Sequence, residues 1–130
     1  LAGAGPDHAA GPEQLAGPVA LGPGALGADR RLSDPAVWGP QAWNLLHCIA
    51  ATLPAKLSPE TQQNLHDFMG ALPGVLPCPS CGEHLRRHLA EDPIDGHLSS
   101  GKDVFDWMVQ LHNKVNRELG KPLLSGQEAE

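Results

Sequence analysis

Residues 102–122 read KDVFDWMVQLHNKVNRELGKP. Val104, Trp107, Met108, Leu111, Val115 and Leu119 recur at the three- and four-residue steps of one helical face. Phe105, His112 and Asn116 run along one edge of that stripe. Ser99 or Ser100 supplies an N-cap, Gly120 a C-terminal stop, and Pro122 forbids continuation. The spacing predicts one long amphipathic helix over 102–119, and a one-sided helix needs neighbours to cover its stripe.

Those neighbours lie upstream. Asp34-Pro35 reads as a cap followed by proline in a first turn, and Trp38-Gly39-Pro40 leads into a helix over 41–52. Trp43, His47 and Ala50 share one face of it, while Leu45, Leu46 and Ile49 lie on other sides. A helix apolar over most of its circumference is covered on several sides, a second subunit being one candidate. Ser58-Pro59 opens a second helix with the stripe Leu65, Phe68, Met69 and Leu72, broken at Pro73-Gly74. A third, short helix runs from Pro79 to about Ala90, and Asp92-Pro93 closes it. No segment alternates with period two. The expected fold is all-α, a four-helix bundle over 34–125 with room for a fifth short turn near Leu123.

Residues 1–33 are rich in Gly, Ala and Pro and lack periodicity, so a flexible arm is expected there, and 126–130 reads as a frayed polar tail. The chain opens at Leu1, as a processed or excised chain would. The net charge of −6 argues against nucleic acid, and no apolar run is long enough to span a membrane.

Three cysteines are present, and two of them fall in Leu76-Pro77-Cys78-Pro79-Ser80-Cys81. A Cys-x-x-Cys pair at a helix N-terminus suits disulfide exchange, because unsatisfied N–H groups there stabilise a thiolate. The same pair with His84 and His88 gives C-x2-C-x2-H-x3-H, which a zinc ion could use, although the gap is shorter than in usual fingers. The spacing alone leaves both readings open. Tyrosine is absent and phenylalanine scarce, yet three tryptophans remain. Trp38, Trp43, Trp107, His47, His112, Asn113 and Asn116 are the groups a large planar cofactor would stack on and bond to.

Taken together, Trp38-Gly39-Pro40-x-x-Trp43-x-x-Leu46-His47, then Leu76-Pro77-Cys78-x-x-Cys81-x-x-His84, then Trp107, then His112-Asn113-x-Val115-Asn116-x-x-Leu119-Gly120-Lys121 resemble the Erv/ALR sulfhydryl oxidases. The resemblance covers about residues 36–125. It implies a helical bundle holding FAD beside a redox disulfide, as a homodimer. It implies an enzyme that passes electrons from thiols through Cys78–Cys81 to FAD and on to molecular oxygen, yielding hydrogen peroxide. By the resemblance, Cys81 is the flavin-proximal cysteine and Cys78 the one that meets the incoming thiol. Trp38, Gly39, Trp43, His47, Trp107, His112, Asn113, Val115, Asn116 and Lys121 then contact FAD, and no metal is required.

The resemblance also shows departures. The family's Tyr-Pro is Leu53-Pro54 here, and its second, structural disulfide falls at Ala90 and Val109, as in some viral members. Residues 1–31 carry no cysteine, so the usual shuttle pair is missing from the arm. The expected partners are thiol-containing protein substrates or a separate shuttle protein. Cys48 reads as a buried, inert thiol, with a mixed disulfide or a dimer cross-link as the alternative. The family spans mitochondrial, secretory and viral settings, so no compartment follows.

Overall fold

The computed structural model describes residues 30–125. Among them are four α-helices: α1 (Pro35–Ala51), α2 (Pro59–Ala71), α3 (Pro79–Glu91) and α4 (Gly101–Leu119). Short 3₁₀ turns occupy Arg30–Ser33, Leu72–Val75 and Ile94–His97. The all-α bundle is therefore as the periodicities require.

Each helix starts where a side chain can satisfy its first free N–H groups. Asp34 accepts from Ala36 N, Ser58 from Thr61 N, and Ser100 from Asp103 N. Ser100 is the cap of α4, while Ser99 hydrogen-bonds Asp103 through its hydroxyl. On α3 the cap is Cys78, whose Sγ accepts from Cys81 N at 3.3 Å. Gly120 ends α4 in the left-handed conformation (φ 72°), and Lys121 N then bonds Asn116 O at 2.8 Å.

Three expectations need correction, the first being Cys48, which is exposed because it lies off the α1 face that buries Leu46, His47 and Ala50. The first helix begins at Pro35, six residues before Gln41, and Pro40 lies inside it. Proline there forfeits only one hydrogen bond close to the helix start, and the Asp34 cap and Trp38 Nε1, which donates to Ser33 O, hold the first turns. The fifth turn near Leu123 does not form. Residues 121–125 are non-helical, since Asn113 has taken the backbone groups of Leu124. Residues 1–29 and 126–130, where the arm and the tail are expected, lie outside the described residues.

The core is built where α1 packs along α4, with the other two helices closing around them. Its fully buried side chains include Trp107, Met69, Met108 and Val104. Each removes enough apolar surface from water to be worth about 1.5–3 kcal/mol. The α4 stripe divides along its length. Val104, Trp107, Met108 and Leu111 enter the core, whereas Val115 is half-buried and Leu119 is 57% exposed. The last turns of α4 are thus apolar without being core.

Candidate functional site

What those last turns face is a cavity of about 700 Å³ between α1, α3 and the end of α4. Its volume falls in the roughly 300–1,000 Å³ range of small-molecule sites. Of the residues singled out in the sequence, Trp38, Gly39, Trp43, His47, Cys81, His112, Val115, Asn116 and Lys121 line it. They come from both ends of the described chain, brought together by the α1–α4 pairing.

The polar centre is a histidine pair. His47 Nε2 lies 2.8 Å from His112 Nδ1, and Trp43 stacks on His112 at 3.9 Å between centroids with planes 6° apart. Phe105 meets the edge of His47 at 6.4 Å. One hydrogen bond between two imidazoles needs one donor and one acceptor. Burial lowers the His47 pKa. Burial, then the facing His47, then the Lys121 charge push His112 down to about 4. Both rings are neutral near pH 7. His47 Nδ1 is buried without a hydrogen-bond partner. A buried nitrogen of this kind calls for a partner that a ligand heteroatom can supply.

The same cavity also meets the sulfur centre. Cys78 and Cys81 form a disulfide with Cα atoms 5.2 Å apart. Cys81 lines the cavity and Cys78 does not, so the pair has an inner and an outer member. Pro79 at the first helical position leaves Cys81 in the first turn of α3, where free N–H groups converge. Because the two sulfurs are bonded to each other, they do not form a thiolate pair for zinc. His84 and His88 turn instead to Glu118 on α4, at 3.7 and 3.0 Å, with Arg87 also on that carboxylate at 3.0 Å. His88, and after it Arg87, lower the pKa of the Glu118 carboxyl.

Two of the expected cofactor contacts do not line the cavity. Trp107 is 2% exposed in the core, its Nε1 donating to Asp92 O at 2.9 Å. Asn113 spends its amide on the backbone of Leu124. Conversely, His84 and Glu118 line the cavity without having been foreseen as part of it. The signal for His84 was present, one turn after Cys81 on the same helical face. Glu118 carried none, because its role depends on which way α4 meets α3.

The donor set suits a flat, heteroatom-rich cofactor: indole and imidazole faces, a buried unpaired nitrogen, a side-chain amide from Asn116 and a lysine at the rim. Comparison with known proteins points the same way. The Erv1 / Alr family profile matches residues 40–130. The mitochondrial FAD-linked sulfhydryl oxidase erv1 of Schizosaccharomyces pombe is 35% identical over 97 residues, 75% of this chain and 53% of that protein. Protein 347L of Invertebrate iridescent virus 6, whose name also carries the words FAD-linked sulfhydryl oxidase, is 34% identical over 70% of this chain and 86% of its own length. The crystal structure of the yeast Erv1 core superposes with a TM-score of 0.69 at 28% identity, over 75% of this chain and 80% of that one. The chain thus spans about half of the fission-yeast relative and most of the viral one. With the family profile over residues 40–130 and a relative 34% identical of which this chain covers 86%, the chain belongs to the Erv1 / Alr family.

Proposed function

We propose that this chain is an FAD-dependent sulfhydryl oxidase acting on protein thiols. The observation that carries the reading is Cys81: half of a disulfide, in the first turn of α3, on the wall of a cavity that the stacked Trp43 and His112 also line. A disulfide that opens a cavity on one side and reaches outward on the other is arranged to pass electrons inward.

A substrate thiolate attacks Cys78 Sγ. The Cys78–Cys81 bond breaks, and Cys81 leaves as a thiolate stabilised by the N–H groups of its own helix. A second substrate thiolate then attacks the substrate sulfur bonded to Cys78. The substrate disulfide forms, Cys78 is released as a thiolate, and two electrons stay on the cysteine pair. FAD, when bound, supplies the acceptor for those two electrons and the route to oxygen, which leaves as hydrogen peroxide. Trp38, Trp43 and His112 would stack on its rings, while His47, Asn116 and Lys121 would bond its heteroatoms. His47 and His112, both neutral, place no competing charge against the ring.

Cys81→Ser keeps every cavity ring in place and removes the inner sulfur. The variant should stay yellow, with a flavin absorbance ratio like the parent, and lose essentially all thiol-dependent oxygen uptake. Retained turnover would sink the proposal. Residues 1–31 hold no cysteine, so the outer thiols come from beyond them, from a substrate protein or from a shuttle pair carried elsewhere. A second copy of the chain covers Leu45 and Phe68, exposed apolar side chains of the cavity lining.

A further inference from the structure

Past Gly120 the chain does not run off into solvent. The left-handed turn at Gly120 reverses it, Lys121 N is tied to Asn116 O, and Lys121, Pro122 and Leu124 all join the cavity lining. The reversed segment carries no helix or strand pairing of its own. Two hydrogen bonds from one side chain hold it: Leu124 N donates to Asn113 Oδ1 at 2.6 Å, and Asn113 Nδ2 donates to Leu124 O at 3.0 Å. A primary amide that gives and receives on the same residue copies a pair of strand-to-strand bonds. Asn113 is next in sequence to His112, so the clamp is mounted on the helix turn that supplies the stacked imidazole.

We propose that residues 121–125 form a strap across the cofactor cavity and that Asn113 is its latch, a positioning residue that acts on the cofactor only through the strap. This rests on the cavity being the FAD site. The strap carries Lys121, whose ammonium meets the acidic part of a dinucleotide, and Leu124, whose side chain closes the wall from the rim. Asn113 does not itself line the cavity, and its amide commits one N–H and one oxygen lone pair to Leu124. The device predicts that release of FAD requires the Asn113–Leu124 pair to open.

Three chains test this: Asn113→Ala, a chain ending at Gly120, and the two changes combined. The readouts are the FAD release rate, followed by flavin fluorescence after dilution into apo-acceptor, and hydrogen exchange at the Leu124 amide. In Asn113→Ala the Leu124 amide should lose its protection, and FAD release should speed up about tenfold, equivalent to ~1.4 kcal/mol. Shortening to Gly120 should speed release at least as much. Adding Asn113→Ala to the shortened chain should then change nothing further, which a general loss of helix stability or a direct cofactor contact would not reproduce. A further tenfold loss in the combined chain overturns the latch, as does unchanged FAD release in Asn113→Ala with an exposed Leu124 amide. If the unaltered protein takes up no FAD at all, the cofactor reading fails first, and the strap's role fails with it; the exchange measurement tells the two failures apart.

Discussion

His47 and His112 show how a single pair sets a pH limit on the fold. Both pKa values are depressed by burial, His112 to about 4. In the unfolded chain each titrates near its ordinary value of ~6.5. Between those values the unfolded chain holds protons that the folded one does not, so stability rises with pH across that window. The contribution is complete above pH ~6.5 and is lost as pH falls toward 4. The urea midpoint of the apoprotein should therefore drop on going from pH 7 to pH 4.5, and His112→Phe should flatten that slope. A slope unchanged by the substitution would place the acid sensitivity elsewhere. The pair was legible as two histidines on apolar helices near tryptophans. That they bond to each other was not, because positions 47 and 112 meet only after α1 and α4 dock. Trp107 illustrates the opposite case. A tryptophan in a family motif looks like a cofactor contact, yet its N–H has a backbone acceptor fifteen residues back, at Asp92, and no surface to spare.

At the scale of elements, the caps were the most readable feature, since Asp34, Ser58, Ser100 and Gly120 all sit where their chemistry requires. Pro40 misled because proline is read as a breaker, whereas near a helix start it costs little. The placement of α3 depends on a residue no periodicity reveals. A Cβ on Gly82 would run into the carbonyl oxygen of Pro73, so the first turn of α3 lies directly on the 3₁₀ turn Leu72–Val75. Gly82 immediately follows Cys81, and the close approach fixes where the redox pair stands. Gly82→Ala should destabilise the protein by roughly 1–3 kcal/mol through forced displacement of α3. Thermal and urea unfolding measure this directly, and a midpoint equal to the parent's would mean the Pro73 carbonyl moves aside freely.

For the whole molecule, the sequence stripes account for the core but leave apolar side chains outside it. Leu45 on α1 is 57% exposed and Phe68 on α2 is 41% exposed, although the latter belongs to a stripe that reads as core. In the proposed dimer a second copy covering them would remove this surface from water, in keeping with the apolar circumference of α1. The holoprotein should scatter light as a dimer, and Leu45→Glu should shift it toward the monomer mass. A parent protein that is monomeric at all accessible concentrations would remove the second subunit from the picture. Within the described residues no helix is long and apolar enough to cross a membrane.

The cavity walls come from residues near 38–47 and 111–124, with Cys81 between them in sequence. During synthesis, no intermediate length of chain can possess the site. It comes into being when the first and last helices meet, the contact that closes the largest loop in the bundle. A ligand that recognises only this closed arrangement stabilises it by mass action and does nothing for a partly folded chain. Yellow colour in a growing cell would thus date the moment when this protein finished folding.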